Sequence, residues 1–364
     1  MDIYKIYKDD DKNLIAYAES RIGGRLENQD SYSYAYTKRG YVATVCDGMG
    51  GGPGGKTASQ IAVKEILSGI DEAEADEDVK NVIVKAVRRA NMAIIAAGDD
   101  TPALKGMGST ATVLLITERS AFVAHVGDSR VYQFRGRKKI FRTFDHSVVF
   151  EMVAQKMITE EQARLSASSN VITRALGVNP DVDVEIHELP YEKGDRFLLC
   201  TDGIHGTMPE KELIRLATMR NVNVGGVVDN IATIVDGNGR KEGGGHDNLT
   251  LAIIETKINS KLKPKMSKKI KIAFIALIAL FVISAVGNVT QFAGTATGNV
   301  NADSLKIYKD SLNNEIAVVN TQNKYLKEIQ AITSDKSVED ITMNDLKKLW
   351  DSIHTISSKD VTNE

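Results

Sequence analysis

Hydrophobic positions in the first 256 residues follow two different periods along the chain. Five short runs rich in β-branched and aromatic residues predict strands: Tyr41–Cys46, Ala111–Thr117, Ala121–Phe134, Arg196–Cys200 and Asn248–Glu255. Apolar residues spaced three or four positions apart predict helices: Lys56–Ile70, Asp78–Ala97 and Lys211–Met219. Because several strands are joined by short turns rather than helices, the pattern favours an α+β fold of antiparallel sheets over a doubly wound parallel sheet.

Residues 272–289 form an apolar stretch without any charge. A helix of these 18 residues would be roughly 27 Å long, close to the roughly 30 Å of hydrocarbon in a bilayer. The stretch follows seven lysines and no acid in residues 257–271, whereas residues 290–364 carry a net charge of −3. This asymmetry predicts a transmembrane helix at 272–289 after a basic juxtamembrane linker, with residues 1–268 in the cytoplasm. A buried core helix is the alternative interpretation.

Residues 290–364 are then expected outside the cell membrane as a small helical tail. A heptad-like apolar series points to helices in it: Leu305, Tyr308, Leu312, Val319, Leu326 and Ile329. The series predicts a helical hairpin or a short coiled coil, which would self-associate or bind an extracytoplasmic partner. A receptor or adaptor role, in which these outer helices sense a ligand, is compatible with the same pattern.

Charge and cysteine content exclude some classes of function. The first 256 residues carry a charge of −6 within a total of −2, which argues against binding nucleic acid through its phosphates. Cys46 and Cys200 are the only cysteines, too few for a disulfide framework. Their places in apolar runs predict buried side chains in a reducing compartment.

Five aspartates lie at the ends of apolar runs or beside glycine and turn-forming residues: Asp30, Asp47, Asp128, Asp202 and Asp247. Any one of them alone would be interpreted as a turn residue. As a set, strand-end carboxylates can converge at one edge of a sheet, where they would repel one another unless neutralised. Hard divalent cations such as Mg²⁺ and Mn²⁺ prefer oxygen ligands, so the set predicts a metal centre. The glycines after Asp47 would let backbone carbonyls approach it.

Eight short motifs occur in order between residues 14 and 256: RLENQD, CDGMGG, GMGSTATVLL, VGDSRVY, DHS, ITRALG, LLCTDG and GHDNLT. Each is weak alone, but the ordered set resembles the metal-dependent type 2C family of serine/threonine protein phosphatases in its bacterial form. The resemblance implies a phosphatase domain at residues 1–256, folded as a four-layer α/β/β/α sandwich of two antiparallel sheets flanked by helices.

The resemblance also implies a ligand set for two tightly bound Mn²⁺ or Mg²⁺ ions and a third, weaker one. Asp47 matches the carboxylate that bridges the two ions, and the carbonyl of Gly48 would bind one of them. Asp202 and Asp247 match ligands of the other ion. Asp128 matches the residue that binds the third ion together with Asp202.

Two further positions match residues that act on the substrate. Arg25 matches the arginine that grips the substrate phosphate, and Asp30 matches the acid that holds metal-bound water in place. The implied reaction is direct, in-line attack on phosphoserine or phosphothreonine by a metal-activated water, without a covalent phosphoenzyme. The expected partners are phosphorylated proteins, among them substrates of a membrane serine/threonine kinase.

The chain departs from the family pattern at several points. Gln29 and Gly52 stand where many relatives have a glutamate and a histidine, and TDGIHG lacks the acid often found after TDG. The general acid for the leaving oxygen is therefore unassigned among His146, His205 and His246, which are expected to be structural hydrogen-bonding residues. Residues 148–170 match a flap beside the active site, which is either a gate or an exposed connector. A catalytically silent phosphoprotein-binding module is the competing function.

Overall fold

The computed structural model describes residues 4–50 and 53–262, which form two antiparallel sheets with helices packed on them. The strands of the first sheet are β1 (Tyr4–Asp10), β2 (Leu14–Arg21), β9 (Arg130–Arg135), β10 (Lys138–Arg142), β12 (Arg196–Cys200) and β13 (Leu249–Thr256). The strands of the second are β3 (Ser31–Thr37), β4 (Gly40–Cys46), β7 (Ala111–Ile116), β8 (Ala121–Val126) and β11 (Glu185–Leu189). Their spatial orders are β1-β2-β13-β12-β9-β10 and β11-β8-β7-β4-β3. A small ribbon pairs β5 (Gly48–Met49) with β6 (Gly108–Ser109).

The helices are α1 (Gly54–Asp71), α2 (Val79–Asp100), α3 (Val148–Ala154), α4 (Glu160–Arg164), α5 (Asp202–His205), α6 (Glu210–Ala217) and α7 (Val224–Lys241). Local side chains set several of their beginnings. The Asp78 carboxylate caps α2 by accepting hydrogen bonds from the backbone N–H groups of Lys80 and Asn81, and Asn223 caps α7 in the same way through Gly226.

Alternate residues of each strand face different layers of the core, as the period of two requires. Val42 packs toward α1 and α2 with Ile66 and Ile83, whereas its neighbour Ala43 packs between the two sheets with Phe197 and other residues. The outer face of the first sheet packs on helices through a third cluster that contains Leu198, Leu213, Val227 and Ile231. The order of layers is thus helices, sheet, sheet, helices.

Strand pairing brings widely separated chain segments to one end of this sandwich. Cys200, the last residue of β12, pairs with Arg130 at the start of β9 and lies opposite Leu251 near the start of β13. In the other sheet, Val126 at the end of β8 pairs with Ala111 at the start of β7. The acids that follow or precede these strand ends therefore share one end of the molecule.

The α+β fold of two antiparallel sheets is confirmed. The predicted run Ala121–Phe134 is two strands, because Gly127 has a φ of +101° and turns the chain between β8 and β9. No helix within residues 4–50 and 53–262 is long and apolar enough to cross a bilayer. The predicted membrane segment 272–289 and the tail 290–364 lie outside the described residues.

Candidate active site

A cleft of about 780 Å³ lies at the end of the sandwich where the strand ends meet. Most of the predicted site residues line it: Arg25, Asp47, Gly48, Asp128, Asp202 and Asp247. Asp30 lies just behind, with only 8% of its surface exposed, and its Oδ2 accepts a hydrogen bond of 3.0 Å from the Thr201 hydroxyl. The structure therefore brings together all seven of the residues predicted from sequence.

Burial, and after it the charges of neighbouring acids, disfavours the ionised forms of four aspartates at the cleft. Burial, and after it the charges of Asp202 and Asp247, raises the pKa of Asp30 to about 7. Burial also raises the pKa of Asp47 well above its ordinary value, and four neighbouring aspartates including Asp128 add to the increase. The pKa values of Asp128 and Asp202 are raised for the same two reasons, burial first. Cations would relieve this repulsion.

One oxygen atom of the cluster is suited to coordinate a metal ion. Among the described residues, Asp202 Oδ1 is buried and makes no hydrogen bond. A buried carboxylate oxygen without a partner is costly unless a cation or a proton satisfies it. An oxygen donor set of this kind suits Mn²⁺ or Mg²⁺, so the residues present fit the metals that the sequence predicts.

The loop that carries Arg25 is tied to the segment that carries Asp247. Arg25 Nη2 lies 2.8 Å from Asp247 Oδ2, and both side chains are about half exposed. The Asn248 amide holds the two segments together, since its Nδ2 donates to the carbonyls of Ile22 and Glu27 at 2.7 and 3.0 Å. Asn248 is thus a structural part of the site that sequence reasoning missed, although it directly follows Asp247 in the motif GHDNLT.

At two positions of the site a residue larger than glycine would not fit, because another backbone segment passes close to it. A Cβ on Gly48 would lie 2.0 Å from the carbonyl oxygen of Gly55, and one on Gly23 would lie 2.1 Å from that of Asp247. Gly23 also has a φ of +63°, which favours glycine. Gly52, the position for which the sequence resemblance implies a histidine, lies outside the described residues.

Each of the three candidate histidines has a structural partner. His205 Nε2 lies 3.0 Å from the carbonyl oxygen of Asp128, and burial holds its pKa well below the ordinary value. His246 Nε2 lies 2.9 Å from Asp236 Oδ1 on α7, where Gly239 leaves room for the ring because its Cβ would lie 2.2 Å away. These contacts confirm His205 and His246 as hydrogen-bonding residues.

His146 stacks on His125 with ring centroids 4.4 Å apart, outside the residues that line the cleft. Burial, and then the charge of His125, lowers the pKa of His146 to about 4. Ligand atoms of these two histidines and Glu185 lie within 4.8 Å of one another. Both ring nitrogens of His146 already have partners, since Nδ1 accepts a hydrogen bond from the Gly127 N–H at 3.2 Å and Nε2 lies 3.3 Å from Glu185 Oε2.

The segment predicted as a flap, residues 148–170, contains the short helices α3 and α4. Its start is anchored, because Arg130 binds Asp145 through two hydrogen bonds of 2.7 and 2.6 Å and stacks over the Phe150 ring at 4.8 Å. Arg164 Nη1 donates to the carbonyl of Gly206 at 3.0 Å, and Asn170 at the other end lines the cleft. The segment therefore borders the site.

Comparison with known proteins agrees with this geometry. Residues 19–232 match the family described as Protein phosphatase 2C. The chain is 28% identical over 254 residues to the serine/threonine phosphatase stp of Listeria monocytogenes, covering 69% of this chain and 95% of that protein. It is 30% identical over 233 residues to the protein phosphatase PhpP of Streptococcus pneumoniae, covering 63% of this chain and 92% of that protein.

Solved structures give the same result. The crystal structure of the Mycobacterium tuberculosis serine/threonine phosphatase PstP/Ppp has a TM-score of 0.57 and 30% identity, covering 67% of this chain and 98% of that one. The PstP catalytic domain in complex with two manganese ions has a TM-score of 0.56 and 29% identity, with the same coverage. The chain belongs to the protein phosphatase 2C family. It is a metal-dependent protein serine/threonine phosphatase.

Proposed function

We propose that the cleft hydrolyses phosphoserine and phosphothreonine in proteins, with two Mn²⁺ or Mg²⁺ ions held by Asp47, Asp202 and Asp247. The observation that carries this proposal is the convergence of four aspartates on the cleft, one of them with an unpartnered buried oxygen, and of Asp30 behind them. The two manganese ions of the PstP domain support the choice of metal. Gly48 would contribute its carbonyl oxygen, and Asp128 would bind a third, weaker ion with Asp202.

The ions supply Lewis acidity when bound, which activates water and offsets charge on phosphoryl oxygens. The protein itself binds and orients the substrate. The Arg25 guanidinium, now paired with Asp247, offers a planar fork of donors that matches two phosphoryl oxygens. Asp30 lies behind the cleft with only 8% of its surface exposed, where its carboxyl group would accept a hydrogen bond from water and hold that water in place.

The full-length protein tests this proposal on a phosphothreonine peptide. We expect turnover with Mn²⁺, loss of turnover with a chelator and recovery when Mn²⁺ is restored. Arg25→Ala should lower kcat/KM by about 10- to 100-fold, because a charge-assisted hydrogen bond contributes about 1.5–3 kcal/mol. Arg25→Lys should recover only part of the loss, since an ammonium lacks the planar fork.

Two outcomes of this experiment would contradict the proposal. Turnover that does not need a metal would exclude the metal-dependent mechanism. Binding of the phosphopeptide without any turnover would favour the silent binding module. Asp181→Asn is a matched control for handling and folding, because the Asp181 side chain is 91% exposed and is not among the residues that line the cleft.

We further propose that the enzyme is anchored in the cell membrane by residues 272–289, with the phosphatase domain 1–256 in the cytoplasm and the tail 290–364 outside. The uncharged apolar stretch and the seven preceding lysines support this topology. Its substrates would then include proteins phosphorylated by a membrane serine/threonine kinase. The tail would self-associate or bind an extracytoplasmic partner.

The topology predicts which side of the membrane each position faces. A cysteine introduced as Ser311→Cys should react with a membrane-impermeant maleimide on intact cells. Asp181→Cys should react only after permeabilisation, because it would lie in the cytoplasm. Background labelling should be low, since both native cysteines are buried. Protection of the cysteine at 311 in intact cells would reverse the orientation or exclude the anchor.

A further inference from the structure

The wall of the cleft is partly apolar. Leu26, Met49 and Ile172 line it alongside the aspartates and Arg25. These three residues come from the Arg25 loop, from β5 and from the chain just after the flap segment. The cleft volume of about 780 Å³ lies within the roughly 300–1,000 Å³ of pockets that hold drug-sized ligands. The cleft therefore has room for more of a substrate than its phosphoryl group.

Leu26 is fully exposed, although leucine is among the residues that gain most from burial. Leu26 lies in a loop that is held by hydrogen bonds, and not at a frayed end of the chain. Gly24 N donates to the carbonyl of His246 at 2.9 Å, and Asn248 Nδ2 donates to the carbonyl of Glu27 at 3.0 Å. The backbone on both sides of Leu26 is thus held by the segment that carries Asp247, so Leu26 keeps a fixed place among the residues that line the cleft.

We propose that Leu26, with Met49 and Ile172, forms a subsite for an apolar side chain next to the phosphorylated residue of the substrate. The inference rests on the proposed phosphatase function. A phosphoryl group bound by Arg25 brings the substrate backbone beside Leu26, and the next substrate residue lies one Cα spacing, about 3.8 Å, further along. The enzyme therefore favours phosphoserine and phosphothreonine flanked by leucine, isoleucine, valine, methionine or phenylalanine.

The test measures discrimination between peptides rather than activity alone. A set of phosphothreonine peptides carries serine at every position from three residues before the phosphothreonine to three after it, with leucine placed at one position at a time. The full-length enzyme with Mn²⁺ should hydrolyse at least one leucine peptide with a kcat/KM about tenfold above the all-serine peptide, as burial of a leucine side chain allows. Leu26→Ser should reduce this ratio to near one, and Leu26→Met should restore most of it.

The ratio separates a lost subsite from general damage, because damage to the cleft lowers kcat/KM for all peptides alike. Val178→Ser is the matched control, since Val178 is another exposed apolar residue, at 58%, and it does not line the cleft. Equal rates on leucine and all-serine peptides, or a preference that survives Leu26→Ser, would overturn the subsite while leaving the phosphatase function intact. Failure to hydrolyse any peptide would instead overturn the proposed function, and the subsite with it.

Discussion

Replacement of Asp47 by asparagine is expected to reduce phosphatase turnover by at least about a thousandfold, the largest loss we expect from any single change. Asp47 is the carboxylate on which the other acids converge, since Asp30, Asp202, Asp128 and Asp247 all raise its pKa. An amide keeps the shape of the side chain but removes the negative charge that would bind cations. The measurement is the initial rate on a phosphothreonine peptide across a Mn²⁺ titration.

The folded state of the Asp47→Asn protein should survive this change. Because the carboxylate is destabilised by burial and by its neighbours, its removal should leave the free energy of unfolding in chelator unchanged or higher. Loss of activity with an unchanged unfolding transition would then assign the defect to metal binding. Retention of Mn²⁺-dependent turnover within tenfold of wild type would contradict the assignment of Asp47 as a metal ligand.

Stability of the metal-free protein is expected to fall as the pH rises from 6.5 to 8.5. The folded state raises the pKa of Asp30 from an ordinary 3.8 to about 7, so between these values the folded protein holds a proton that the unfolded chain has lost. This proton adds its full contribution to the free energy of unfolding when the pH is below the pKa of the unfolded chain. The contribution is lost as the pH rises through the pKa of the folded protein. Each such group contributes up to about 1.4 kcal/mol per pH unit, and Asp47 and Asp128 shift in the same direction.

The window above pH 6.5 is chosen because the buried histidines act in the opposite sense at lower pH. Burial lowers the pKa values of His125, His146 and His205, so these groups cost stability as the pH falls below 6.5. Urea unfolding in chelator at pH 6.5, 7.5 and 8.5 measures the slope. Added Mn²⁺ should stabilise the protein more at pH 8.5 than at 6.5, and Asp30→Asn should reduce the slope of the chelator series, chiefly between pH 6.5 and 7.5. A flat series for the wild-type protein would exclude strong coupling among these acids.

The sequence predicted a strand or helix correctly where the spacing of apolar residues and the types of residue indicate the same element. The runs at Tyr41–Cys46 and Arg196–Cys200 are strands with bounds within one residue of those predicted, and the helix predicted at Asp78–Ala97 is α2 with Asp78 as its cap. Helix α7 was not predicted, because it has two glycines in its first turn and two near its end, and glycine is a poor helix former. Its amphipathic face forms in spite of them, since Val227 and Ile231 pack on the first sheet.

The site was predicted through ordered motifs rather than through contacts. Asp47 and Asp202 stand out because each closely follows a strand and precedes a glycine, a signal that is local in sequence. The hydrogen bonds from Asn248 to Ile22 and Glu27 join residues more than 200 positions apart. The local spacing of apolar residues does not predict contacts between such distant residues. The pairing of His246 with Asp236 was hidden for a similar reason, because it depends on how the loop after α7 folds back.

The described chain leaves the domain at the end opposite to the cleft. Strand β7 begins beside Thr110, whose hydroxyl accepts from Asp47 N at 2.8 Å, and its six residues span roughly 20 Å at about 3.3 Å each. Beyond its far end, the carbonyls of Glu118 and Arg119 accept from the backbone of Lys261 and Leu262 at 3.0 and 2.7 Å. With the anchor that we propose beyond Leu262, the cleft would lie at the pole of the domain far from its point of attachment. Phosphorylated loops that project into the cell interior would then be within easier reach than residues pressed against the lipid.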